Sequence, residues 1–331
     1  MSQASNPFTT TLSRPLRQYD YGFFGPGSPS WKVWTHPTAA IGFQRAVVLE
    51  HFDPFLTAGA ADQAGIYKDP QGRLDRTFAY FLLVALADSR TVIEASEFLM
   101  KIHARVTGIE PVSGKRYAAN NPDSQLWIHV TGWQSVLKAY EMFGPGKLSA
   151  EEEAQYWREC AIAAEVQTCR QEDVPKSREE VRAYYARIRS TLCVTERARQ
   201  GMEHLLRPAR ADVGIKLSVV GNLIALATIA TLPRWMRQLG QIDQPHLVDR
   251  LIRPIARVLV LLSSPVSARI TLLGMATPLA SKILKQHFRS GEPENTAILS
   301  PTEAREHFGE EAKRAAAAAH AQEKALLAAA G

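Results

Sequence analysis

Residues 72–88 (GRLDRTFAYFLLVALAD), 91–108 (TVIEASEFLMKIHARVTG) and 124–144 (SQLWIHVTGWQSVLKAYEMFG) decide the fold class. In each, apolar residues recur three and four positions apart, which is the period of a helix with one buried face, and the strict alternation of a strand is missing. The same period runs from Trp31 to about residue 290, broken only at Asp-Pro, Gly-Pro-Gly, Asn-Asn-Pro and Ser-Ser-Pro steps. Ser149 with Glu152, and Ser177 with Glu180, have the spacing of a capping box and mark helix starts. The class is therefore all-α, expected as one helical bundle over residues 31–290. Residues 1–30 are rich in proline and glycine and read as an irregular lead-in. Over 291–331, Ser300, Pro301 and Glu303 open a helical tail that continues into the alanine-rich run 312–331, expected to face solvent or another copy of the chain.

Composition narrows the class further. Of 331 residues, 46% are hydrophobic and 22% charged, the balance of a chain with a large core and not of a disordered or coiled-coil one. Cys160, Cys169 and Cys193 are too few and too irregular for a disulfide framework or a zinc site. No basic segment followed by an apolar run opens the chain, so a cytoplasmic location is expected. The net charge of +6 is matched by residues 251–290 alone, where Arg253, Arg257, Arg269, Lys282, Lys285 and Arg289 meet no acid. That stretch is also strongly apolar. It reads as a peripheral membrane face or as a buried helix pair with basic rims, and not as a nucleic-acid surface, which would interleave aromatic residues. The apolar runs 217–232 and 257–280 are interrupted by Asn222 and by Ser263, Ser264, Pro265 and Arg269, so neither reads as a membrane span.

The three opening segments each place unusual polar groups on one face. Arg73, Arg76, Thr77 and Tyr80 fall at i, i+3, i+4 and i+7, so two guanidiniums, a hydroxyl and a phenol point one way. They either meet an anion or polar ligand or mark a solvated first turn. His103, with Leu99 and Val106 on the same side of a helix expected to end at Gly108, is either a core histidine or a neutral axial ligand of the kind a haem iron takes. His129 lies beside Gln125, Gly132, Trp133 and Val136, where Gly132 thins the helix wall for a flat group or another helix. Motifs for zinc hydrolases, esterases, nucleotide triphosphatases and dinucleotide binding are missing.

Six segments in order resemble the catalytic domain of the mpaB and latex-clearing-protein (rubber oxygenase) family across about residues 27–290. They are Leu49-Glu50-x-x-Asp53-Pro54, Arg73-x-x-Arg76-Thr77, His103-x-x-Val106-x-Gly108, Tyr117-Ala118-Ala119-Asn120-Asn121-Pro122, Trp127-Ile128-His129-Val130-Thr131 and Val174-Pro175. The resemblance implies a globin-like bundle that binds haem b, activates dioxygen and oxidises a hydrophobic, isoprenoid or lipid-like substrate, by cleavage of a carbon–carbon double bond in the rubber oxygenases. It implies His103 as the iron ligand. Arg73, Arg76 and Thr77 become the polar distal or propionate-holding face, Glu50 a catalytic base, and His129 and Trp133 neighbours of the cofactor. The chain departs from the family where Arg76 replaces a lysine and where Glu50 and Asp53 stand in place of a glutamine and a histidine, with His51 shifted. A guanidinium stays charged, so it cannot serve as a neutral sixth ligand. Two other readings stay open: a non-catalytic helical carrier of an apolar molecule at a membrane surface, and a haem protein of peroxidase or sensor type.

Overall fold

The computed structural model describes residues 16–62, 69–206, 210–310 and 314. Its elements in chain order are α1 (Pro29–Trp34), α2 (Ala39–Glu50), α3 (Pro54–Asp62), α4 (Pro70–Leu86), α5 (Ser89–His103), β1 (Thr107–Ile109), β2 (Arg116–Ala118), α6 (Pro122–Phe143) and α7 (Ala150–Ala164). They continue as α8 (Arg178–Ile188), α9 (Glu196–Leu206), α10 (Arg210–Thr231), α11 (Arg234–Gly240), α12 (His246–Leu262), α13 (Val266–Ala276), α14 (Pro278–Arg289) and α15 (Pro301–Phe308). The all-α class holds, with one small antiparallel ribbon in which Thr107 pairs Ala118 and Ile109 pairs Arg116.

Helices start where short polar side chains satisfy their free N–H groups. Ser149 and Ser300 form complete capping boxes with Glu152 and Glu303. Ser177 caps α8 by accepting from Glu180 N, but the Glu180 carboxylate turns to Lys176 N, so only half of that box is built. Between helices, Asp88 caps α5 while its other oxygen accepts from Gln18 N at 2.9 Å. Asp75 on α4 accepts from Leu279 N and Ala280 N at 2.9 and 3.0 Å, and so caps α14 from across the fold.

The core is centred on α2, α4 and α6 and filled by Trp34, Phe43, Phe78, Phe81, Leu83 and Trp133. Gly42 makes the α2–α6 crossing possible, because a Cβ there would stand 2.5 Å from Val136 Cα and 2.8 Å from Ser135 O. Three residues along α2, the buried Arg45 donates to Ser135 Oγ and Gln134 Oε1, both at 2.6 Å. Gly132, the thinned wall of α6, is filled by a neighbouring side chain: its missing Cβ leaves room for the Phe81 ring, 2.6 Å away.

Three expectations change. The helix carrying His103 ends at His103 and not at Gly108, because the chain turns at Ala104 and enters β1; Val106 faces the same region from the ribbon's edge. The described part of the lead-in, residues 16–28, is irregular but integral: Leu16, Phe23 and Phe24 are core residues, and Arg17 donates to the His287 and Ser290 carbonyls, both at 3.0 Å. The start of the C-terminal tail docks on its own chain, with Pro301 and Ala304 buried, α15 packed on α5, and Arg305 donating to Glu165 O. Apart from Arg314, the alanine-rich run lies outside the described residues. Among the described residues no single helix is long and apolar enough to cross a membrane.

Gly42→Ala is expected to destabilise the fold by about 3 kcal/mol in urea unfolding, since the clash is with backbone. A loss below about 1 kcal/mol would mean that α2 can move off α6.

Candidate functional site

A cavity of about 490 Å³ opens between α2, α4, α5 and α6, within the usual range for a small-molecule site. Glu50, Arg73, Arg76, Thr77, His103, His129 and Trp133, from four helices and as far apart as 83 positions in sequence, all line it. The rest of its wall is mainly apolar.

Glu50 closes α2 and brings a carboxyl to the cavity whose Oε1 is buried without a hydrogen-bond partner. Burial pushes its pKa up to about 7, against the pull of the Arg73 charge. Arg73 is the inward-facing member of the arginine pair. It donates to Ala60 O at 3.2 Å, and burial lowers its pKa, with Glu50 as the opposing charge. Arg76, one turn on, is half-exposed and paired with Asp69, the residue that caps its own helix, at 3.0 Å. Thr77 donates to Arg73 O at 2.9 Å, a bond inside the helix. Of the four polar groups expected on one face, Tyr80 goes deepest: its hydroxyl meets Ser96 Oγ at 2.9 Å and accepts from Gln167 Nε2.

Four imidazoles complete the lining, those of His51, His103, His129 and His204. His103 stands in the last turn of α5, with Gln125 Nε2 3.4 Å from its Nδ1; that nitrogen also donates to Ala119 O. Burial and the Arg73 charge lower its pKa to about 4, so it is neutral at pH 7. His51 donates from Nδ1 to Val47 O at 2.7 Å, which leaves Nε2 with its lone pair, and its pKa is likewise about 4. His129 lies deep in α6 with Nε2 2.6 Å from Cys160 O, so that nitrogen carries the proton and is committed to the backbone. Its pKa is also lowered to about 4 by burial. Trp133, next along α6, packs its ring against Trp34 and His129.

Sequence reading did not single out Ser96 or Gln167, which hold the Tyr80 hydroxyl, nor Gln125 as the neighbour of His103. Gln125 carried a weak signal, one turn before His129 on the same face. Gln167 sits in the turn after α7 and carried none.

Among the described residues no three His, Cys, Asp or Glu side chains converge to hold a metal ion. A cofactor bringing its own equatorial donors needs only one axial imidazole, and the donor set fits that requirement. A neutral His103 lines the cavity, the buried Arg73 and rim Arg76 suit carboxylates, and Glu50 Oε1 is orphaned. The fold is thus an all-α bundle around a mainly apolar cavity that holds a buried carboxyl oxygen and several imidazoles in its wall. Residues 31–261 match the family described as ER-bound oxygenase mpaB/B'/rubber oxygenase, catalytic domain, and the chain belongs to it. No curated protein and no solved structure gave a match.

The buried histidines set an acid limit on stability. Unfolded imidazoles protonate below about pH 6.5 whereas His51, His103 and His129 stay neutral to about 4. Their contribution is intact above pH 6.5 and is lost as pH falls toward 4, at up to about 1.4 kcal/mol per pH unit for each. Glu50 acts the other way, with stability lost as pH rises from its unfolded value of about 4.3 to 7. Urea midpoints are expected to fall from pH 7 to pH 5; a flat profile would contradict the neutral buried imidazoles.

Proposed function

We propose that the chain is a haem b-dependent oxygenase acting with dioxygen on a hydrophobic, isoprenoid or lipid-like substrate, with oxidative cleavage of a carbon–carbon double bond as the outcome. Bound haem supplies the activation of dioxygen at its iron. The observation that carries the reading is the convergence of Glu50, Arg73 and His103 on one mainly apolar cavity in a chain of the oxygenase family.

His103 would hold the haem iron. Its low pKa keeps the imidazole neutral, with a ring lone pair available, throughout the neutral range. Arg73 and Arg76 hold the propionates by charge-assisted hydrogen bonds, with Arg73 buried and Arg76 at the rim. His129 packs behind the site and not at the iron, since its Nε2–H belongs to Cys160 O. Glu50 works as the base. With its pKa near 7, both of its forms are populated at neutral pH, and its orphaned Oε1 would accept the proton of an allylic C–H of the substrate while that bond's electron pair passes to dioxygen, the oxidant of the reaction. The apolar wall binds the hydrocarbon and excludes water from that proton transfer.

Purified protein from haem-replete cells is expected to show a Soret band with near one b haem per chain, and His103→Ala to lose it or shift it strongly. An unchanged spectrum would remove His103 as the ligand. Glu50→Gln is expected to keep the band but lower turnover by 10²-fold or more and abolish the rise in kcat/KM with pH around 7. A wild-type profile in that variant would take the base role from Glu50.

A further inference from the structure

Among the described residues, nothing covers the outer face of helix α12. Leu247, Leu251, Ile255, Val258 and Leu262 follow one another at intervals of four, four, three and four, forming a single stripe, and each is between 45% and 68% exposed. Such a stripe is large for a free surface. The helix then bends by 114° into α13, whose Val266, Leu272 and Met275 are exposed as well. Arg250 and Arg257 lie along one flank of the stripe, both exposed. The only acid on α12, Asp249, faces inward and is paired with Arg237 at 2.9 Å, so the outer face carries positive charge alone.

A second cavity, of about 410 Å³ and lined mostly by apolar groups, opens at this corner. Leu259, Leu262, Leu272 and Met275 line it and are also exposed at the surface, so its mouth lies within the apolar patch. It shares Leu74, His204 and Leu205 with the first cavity.

We propose that the α12–α13 corner docks on an anionic lipid bilayer and that the second cavity takes a single hydrocarbon chain from it. The apolar stripe enters the acyl boundary, and Arg250 and Arg257 meet lipid phosphates along its edge, as amphipathic interfacial helices do. The 114° bend brings two apolar surfaces to one corner, around the cavity mouth. Docking and chain binding do not depend on a cofactor. Passage across the Leu74–Leu205 wall to the first cavity supplies the substrate of the proposed oxygenase and rests on that reading.

The test is sedimentation of the full chain with phosphatidylcholine vesicles containing 0 or about 30% phosphatidylglycerol, at low and high salt. Binding is expected to the anionic vesicles, to weaken with salt, and to drop at least tenfold in Leu251→Glu/Val258→Glu, both exposed positions. Arg250→Gln/Arg257→Gln is expected to remove the preference for anionic lipid while keeping the fold. Leu223→Trp places an indole in the wall of the second cavity; chain-brominated phosphatidylglycerol should quench its added emission, and a headgroup-confined quencher should not. Equal binding by the Leu251→Glu/Val258→Glu variant overturns the docking face, and unquenched Leu223→Trp overturns the chain site. A concentration-dependent dimer that the same pair of substitutions dissociates, with no vesicle binding, assigns the stripe to a second copy and overturns the proposal. Vesicle binding that appears only on removal of residues 311–331 assigns it to the chain's own end, with the same consequence. None of these readouts needs haem, so they are independent of the spectrum that tests the oxygenase.

Discussion

The close crossing of α2 on α6 is the constraint on which the remaining geometry depends. Gly42 lets the two backbones approach to a separation that any side chain would prevent, and the Arg45 guanidinium locks the approach with two hydrogen bonds to α6. Because α2 ends in Glu50 and His51 while α6 carries Gln125, His129 and Trp133, that one contact sets opposite walls of the first cavity. Phe81 fills the notch at Gly132 and adds α4 to the same assembly, bringing Arg73 and Thr77 with it. A cavity defined by helix crossings in a well-packed core keeps its shape without a ligand, because such interiors yield little to local strain.

Burial then sets the chemistry of that cavity. Three imidazoles are held neutral and one carboxyl is lifted close to neutrality, around a single buried guanidinium. Arg73 is the pivot: its charge opposes protonation of His51 and His103 and opposes the rise of the Glu50 pKa. The histidines differ in how their nitrogens are committed. His129 has given Nε2–H to a backbone carbonyl and His51 has given Nδ1–H, while His103 meets the side chains of Asn120 and, at 3.4 Å, Gln125. His129 is thereby tied to the packing, whereas His51 and His103 each keep a ring nitrogen clear of the backbone.

The periodicity of three and four along 72–143 was enough to show that the chain is helical, since burying one face of a helix leaves a direct imprint on residue spacing. The caps at Ser149 and Ser300 were legible for the same local reason, as was the shared face of Arg73, Arg76, Thr77 and Tyr80. The family was legible from six short segments in order. Tertiary structure decided what local spacing cannot encode: that α5 stops at His103, that Phe81 occupies Gly132, that Arg73 is buried while Arg76 pairs with Asp69, and that Gln167 reaches Tyr80 from 87 positions away. Each of these depends on which helices cross and how closely, and crossing is set by shape complementarity between segments distant in sequence. Periodicity therefore identified the helices and their inward faces, whereas the pKa values, the cavity and the assignment of each histidine followed from long-range packing, which alone fixes burial and the distance between charges.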